Sequence, residues 1–150
     1  MKRYLIFVAL GPVLGGFWQL LTTTILSGYW HDALTVEAVG KFLKFFFIYV
    51  PYSYLFGFLP ALMIGAIDDI LSHVRPIVPV LRMLLVGAIA FLAAEFLYGG
   101  RGPDSGAFQF VMYGLVGFIP GAVSSWLVHK FVGELPDAPA QPPAEKVAGA

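Results

Sequence analysis

Cysteine is absent from this 150-residue chain. Its absence excludes disulfides, thiolate metal sites and cysteine nucleophiles. Charge is scarce too: 12% of residues are charged, where a soluble domain carries about 25%. Nine Lys+Arg balance nine Asp+Glu, so there is no basic patch to follow a nucleic-acid backbone, and nucleic acid is not an expected partner. The three histidines, His31, His73 and His129, lie far apart. None has a neighbour at metal-ligand spacing, so no metal site is expected. The chain also lacks a Gly-x-Ser-x-Gly elbow, a P-loop, a dinucleotide fingerprint and any nucleophile–base arrangement. No cofactor and no enzymatic activity are expected.

Long apolar runs take the place of all these. Residues of apolar type make up 59% of the chain, and they concentrate in four stretches, roughly 4–28, 42–67, 77–98 and 107–129. Hydrocarbon about 30 Å thick needs about 20 apolar helical residues, and each stretch meets that length. The expected fold class is all-α: a polytopic membrane protein with four transmembrane helices in a bundle. The start, Met1-Lys2-Arg3 followed by the run from Tyr4 to Leu10, looks like a secretory signal. The run continues past the usual 7–15 residues and no A-x-A-like site follows, so it reads as an uncleaved first span. Residues 1–133 form the membrane domain. Residues 134–150, with four prolines and no aromatics, read as a disordered Pro/Ala-rich cytoplasmic tail.

Positive charge favours the cytoplasmic side. With the N-terminus inside, Lys2, Arg3, Arg75, Arg82, Lys130 and Lys146 lie inside and Lys41, Lys44 and Arg101 outside. Both termini are then cytoplasmic. The first span is expected to end in the Thr/Ser-rich turn at 22–27. In the outer loop, Thr35 with Glu37 has the pattern of a helix start. That helix is expected to run along the interface and then turn into the second span. The inner loop 68–76 leads to Pro76 and Pro79, which suit the first turn of the third span, and Arg82 is placed to snorkel outward. The Gly-rich segment 99–106 reads as a tight turn that makes the third and fourth spans antiparallel neighbours. Span two is crowded with aromatics, Phe42, Phe45, Phe46, Phe47 and Tyr49 among them, which pack lipid or any apolar ligand alike.

A pattern recurs sixty residues apart. Leu55-Phe56-Gly57-Phe58-Leu59-Pro60-Ala61 matches Leu115-Val116-Gly117-Phe118-Ile119-Pro120-Gly121 at the Leu, Gly, Phe and Pro positions. Small residues follow one helix face in each, Gly57, Ala61 and Gly65 against Gly117, Gly121 and Ser125, because residues four apart share a face. Gly11 and Gly15 offer a third ridge in span one. Such ridges let helix backbones approach closely in lipid. The matched spans cross in the same direction, which suggests a parallel two-hairpin repeat. Pro60 and Pro120 are expected to kink their helices.

Few polar residues lie within the spans. Glu95, Gln19 and Gln109 fall toward the outer side. An intramembrane carboxylate is a functional-site candidate by default, and Glu95 is expected either to pair with Gln19, Gln109 or Arg101 or to carry protons or cations. Asp68 and Asp69 close span two at the cytoplasmic surface as a solvated loop start that pairs at most with Arg75 or Arg82. Ser124 and Ser125 lie near the inner end of span four.

The segments 57–61 and 117–121 resemble a feature of small four-helix bacterial inner-membrane proteins of uncharacterised function. The resemblance covers spans two and four. It implies the same architecture and a multi-pass place in the bacterial inner membrane, and it carries no functional residue across. Three functions fit these observations. The first is an accessory or scaffold subunit that packs through its small-residue ridges against a membrane-protein partner or a second copy, with one ridge left over for that contact. The second is a small oligomeric transporter or channel with Glu95 at its outer vestibule. The third is a lipid or quinone binder built on the span-two aromatics.

Overall fold

A computed structural model describes residues 2–31, 35–74, 77–98 and 106–132. They form four helices: α1 (Lys2–Leu26), α2 (Val36–Val74), α3 (Pro79–Tyr98) and α4 (Ala107–Val132). Each is long and apolar enough to cross a membrane, and no strand occurs among the described residues. The protein is thus an all-helical, multi-pass membrane bundle. The expected tail at 134–150, the tight turn at 99–105, and Arg75, Pro76 and Arg101 lie outside the described residues. The proximal end of the bundle is where α1 begins and α4 stops, and the distal end is where α1 stops and α4 begins.

Local chemistry sets the helix boundaries. The Thr/Ser segment expected as a turn is largely helical, because its hydroxyls bond back to the preceding turn: Thr23 to the Gln19 carbonyl at 2.8 Å and Thr24 to that of Leu21 at 2.9 Å. The helix stops at Leu26. Gly28 takes φ 75°, its amide donates to Ile25 O, and the Tyr29 amide donates to Thr24 O. This is a Schellman closure, which needs a left-handed residue at that position. Thr35 caps α2 as expected, its Oγ1 accepting from the Ala38 amide at 3.1 Å. Pro79 opens α3.

One expectation about α2 is corrected. The interfacial helix, the span and the start of the inner loop are a single helix of 39 residues. At 1.5 Å per residue it is about 58 Å long, nearly twice the hydrocarbon thickness. No glycine–proline break lies near residue 41 or 68, and Pro51 and Pro60 both sit inside the unbroken helix. Pro120 likewise lies inside α4.

Packing follows the small residues. Along the antiparallel α1–α2 seam, Gly65 meets Phe7, Ala61 meets Gly11, Gly57 meets Pro12 and Ser53 meets Gly16. A Cβ on Gly16 would stand 2.5 Å from that of Ser53. Along α3–α4, Gly121 rests on Ala90 and Gly117 lies against the Ala90 carbonyl. Gly15 faces Pro120 and Val116 across the α1–α4 seam. Each matched ridge of the sixty-residue repeat therefore packs on the helix preceding it in its own hairpin. All three ridges are used inside the bundle. The expectation that one remains for a partner is corrected, because every ridge has a neighbouring helix within van der Waals reach.

The fourth seam differs. α2 and α3 touch far less than the other adjacent helices. Their contact lies at the proximal end, where Ile64 and Val86 join Phe7, Ala90 and Val128 in the apolar core.

Gly117→Ala places a methyl group on a backbone carbonyl, which cannot rotate aside. We expect it to lower stability by at least about 1–3 kcal/mol. Gly40→Ala, whose new methyl meets only open space, should leave stability unchanged or raise it. Thermal unfolding of both variants in detergent, followed by circular dichroism, checks this.

Candidate functional site

Two features stand out in the bundle: a charged clasp at the proximal end and a cavity above it. The clasp begins with Asp68 of α2, which is fully buried, and Arg82 of α3, which is 2% exposed. Arg82 Nε lies 3.4 Å from Asp68 Oδ1, an ionic contact without hydrogen-bond geometry. The same oxygen accepts a hydrogen bond from Ser125 Oγ of α4 at 2.6 Å. Ser124 is also fully buried. Arg3 of α1 pairs with Asp69 of α2 at 3.7 Å and donates to Ser72 Oγ. Tyr4 donates to Asp69 Oδ2 at 3.4 Å. All four helices are thus tied at this end.

This corrects the reading of Asp68 and Asp69 as a solvated loop start, while the pairing with Arg82 that the sequence allowed is present at Asp68. The helix continues past both of them, so Asp68 points into the bundle. Arg82 is corrected as well. It turns inward to Asp68, because a buried carboxylate without a counter-charge costs far more than a guanidinium costs to bury beside it. Sequence reasoning did not find Arg3 as a buried partner. The available signal was a shared end: Arg3 opens α1 at the same end of the bundle at which α2 carries Asp69.

The cavity lies distal to the clasp, separated from it by the core around Ile64 and Val86. It has a volume of about 390 Å³ and draws its walls from all four helices. Phe7 and Ile64 form its floor, and Pro12, Gly57, Ala94 and Gly117 its sides. Gln19, Tyr49, Ser53 and Tyr98 supply its polar groups toward the distal end. Phe56, Leu97 and Tyr98 line it and are also well exposed on the outer surface, Phe56 to 66%. The cavity therefore opens sideways at the loose α2–α3 seam.

The sequence-derived candidates separate into two groups. Gln19 lines the cavity, and its Oε1 is buried with no partner among the described residues. Glu95 does not line it. It faces α4, where the Gly114 amide lies against its carboxyl. None of the hydrogen bonds among the described residues joins Glu95 to Gln19 or Gln109, so that expected pairing is corrected: Glu95 meets backbone instead. Gln109 is half-buried near the start of α4. The span-two aromatics do not gather around one site and mostly take the outward positions that a lipid-packing role needs. Phe45, Phe47 and Phe58 face outward, while Phe42 and Phe46 stack edge-on against Phe17 at the distal end. Only Tyr49 and Phe56 of that run reach the cavity. No three of His, Asp and Glu gather as a metal site among the described residues.

Arg82→Met leaves the Asp68 carboxylate buried and uncompensated. It should cost about 3–5 kcal/mol of stability, most of it recovered in the Asp68→Asn/Arg82→Met double variant. Denaturant titration in detergent, read by loss of helical circular dichroism, measures the cycle. Equal losses in the single and double variants would contradict the pairing.

No curated protein and no solved structure matches the chain. A family model, described as a family of unknown function, matches residues 1–134. A match over that much of the chain means that this four-helix membrane protein belongs to the DUF5413 family of unknown function.

Proposed function

We propose that the protein binds an apolar, membrane-dissolved molecule that enters sideways between α2 and α3, in a binding rather than a catalytic role. The observation that carries this reading is the cavity. Its volume of about 390 Å³ falls within the range of about 300–1,000 Å³ typical of small-molecule sites. Its mouth faces the lipid side of the bundle, where such a molecule is already dissolved. The accessory-subunit reading loses its main support, because all three ridges are used internally. The transporter reading lacks a continuous polar path: Phe7, Ile64, Val86 and Val128 fill the bundle between the cavity and the clasp.

We further propose that the membrane is the bacterial inner membrane and that the proximal end faces the cytoplasm. Among the described residues, Lys2, Arg3, Arg82 and Lys130 lie at that end, against Lys41 and Lys44 at the other. Four basic residues against two is the asymmetry that supports this orientation, since the rule counts Lys and Arg whether or not acids pair with them.

Ala93 lines the cavity, and Ala93→Phe should plug it. Labelling of the purified protein by an alkyl diazirine should then fall by about tenfold, equivalent to about 1.4 kcal/mol. Mass spectrometry of the labelled peptides provides the measurement, and undiminished labelling would count against the site. For orientation, a fluorescent protein fused after residue 150 should glow in cells. Alkaline phosphatase inserted at residue 103 should be active. The reverse pattern would overturn the proposed topology.

A further inference from the structure

The α3–α4 seam carries a second hollow, which shares no residue with the cavity. It is a groove of about 360 Å³ lined only by apolar side chains and the Trp126 indole. Its shape follows from residue spacing on α4. Phe118, Ala122 and Trp126 stand one turn apart on one face, so a small buried side chain lies between two aromatic ones. From Phe118 to Trp126 the helix rises about 12 Å. Gly87 of α3 fixes the distal wall. A Cβ there would stand 2.9 Å from the Phe118 ring, so the ring lies directly against the α3 backbone. Met83 closes the α3 side, and Ile119 and Val123 complete the lining. Trp126 is 48% exposed, so the groove opens on the outer, lipid-facing surface. A narrow apolar trough of this kind takes a single hydrocarbon chain.

Its proximal mouth is different. Lys130 lies one turn beyond Trp126 on the same face, and its Nζ sits 5.0 Å from the centre of that ring. This is within the cation–π reach of about 6 Å. The Phe131 ring lies 5.7 Å from the same ammonium. The charge is thus held at the end of the groove while its residue stays exposed. Among the described residues no carboxylate pairs with it. Helices α3 and α4 carry one acid between them, Glu95, near the distal end. Tryptophan and lysine together mark the depth of lipid headgroups. This face therefore offers a hydrocarbon slot that ends in positive charge at headgroup level.

We infer that the groove binds an anionic phospholipid of the proximal leaflet, with one acyl chain against Ala122 and its phosphate on Lys130. Basic sites between membrane helices take anionic headgroups, and a bond from ammonium to phosphate is charge-assisted. A zwitterionic lipid brings its own ammonium, which the described part of this face has no carboxylate to receive. A second copy fits less well. Two copies inserted the same way pair about a two-fold axis along the membrane normal, which would set Lys130 against its own counterpart.

The test reads Trp126 fluorescence in the full chain carrying Trp18→Phe and Trp30→Phe, which leaves one of its three tryptophans. The protein is reconstituted in phosphatidylcholine vesicles that contain either phosphatidylglycerol or phosphatidylcholine with dibrominated acyl chains. Bromine quenches on contact, so quenching against mole fraction gives the relative affinity of each lipid at the groove. Phosphatidylglycerol should bind about fivefold better, equivalent to about 1 kcal/mol. Lys130→Gln should bring that ratio to one, and Lys130→Arg should keep it. Equal quenching by the two lipids would overturn the inference and leave an ordinary lipid-facing surface. So would an unchanged preference in Lys130→Gln, or its loss in Lys130→Arg. Quenching by neither lipid would mean that a second copy or another protein covers the groove, and would overturn it too. Where the tryptophan variant fails to fold, native mass spectrometry decides, using wild type and Lys130→Gln with equal amounts of the two lipids. Wild type should retain more phosphatidylglycerol and Lys130→Gln should not; equal retention by wild type would overturn the inference.

Discussion

Helices in a bilayer are not driven together by hiding apolar side chains, because lipid tails are as apolar as leucine. What remains is close van der Waals approach and the few polar contacts that lipid cannot supply. This bundle uses both, in different places. Three seams rely on approach, and the α3–α4 seam carries it furthest, with Gly117 pressed against the Ala90 carbonyl. The fourth seam, between α2 and α3, relies on the ion pair of Asp68 with Arg82 at one end.

That division of labour shapes the molecule. Where α2 and α3 are held by charge they stay together. Distal to that point no small-residue ridge joins them, and α2 stays on α1 through Gly57 and Ser53 while α3 stays on α4 through Ala90. α2 and α3 therefore part on that side, while α1 and α4 stay packed through Gly15 and Pro120. The space left between α2 and α3 is the cavity, and its sideways opening follows from the absence of a ridge on that seam.

The clasp also carries a chemical consequence. By drawing Arg82 and Asp68 together beneath the apolar core, it removes both charges from the interior that a ligand would meet. Arg3 and Asp69 do the same at the α1–α2 seam. The cavity is then an uncharged chamber, with hydroxyl and amide residues only toward its distal end.

Much of this architecture was legible in the sequence, and the boundary of legibility is physical. Span length and apolar content determine four crossings, because the hydrocarbon thickness sets a minimum that each run meets. The 3.6-residue period determines that Gly57, Ala61 and Gly65 share a face, as do Gly117, Gly121 and Ser125. Thr35 and Pro79 mark helix starts through local bonds alone. The partner of each face was not legible, since period assigns a side and not a neighbour. Asp68 therefore read as a loop acid with Arg82 as a candidate partner, and its burial against Ser125, 57 residues away, was not legible. Glu95 drew notice because its charge is visible in one dimension. Gln19, Ala93 and Ser53 drew less, because a cavity is a property of how helices diverge, and only the tertiary structure sets the angle at which α2 and α3 part.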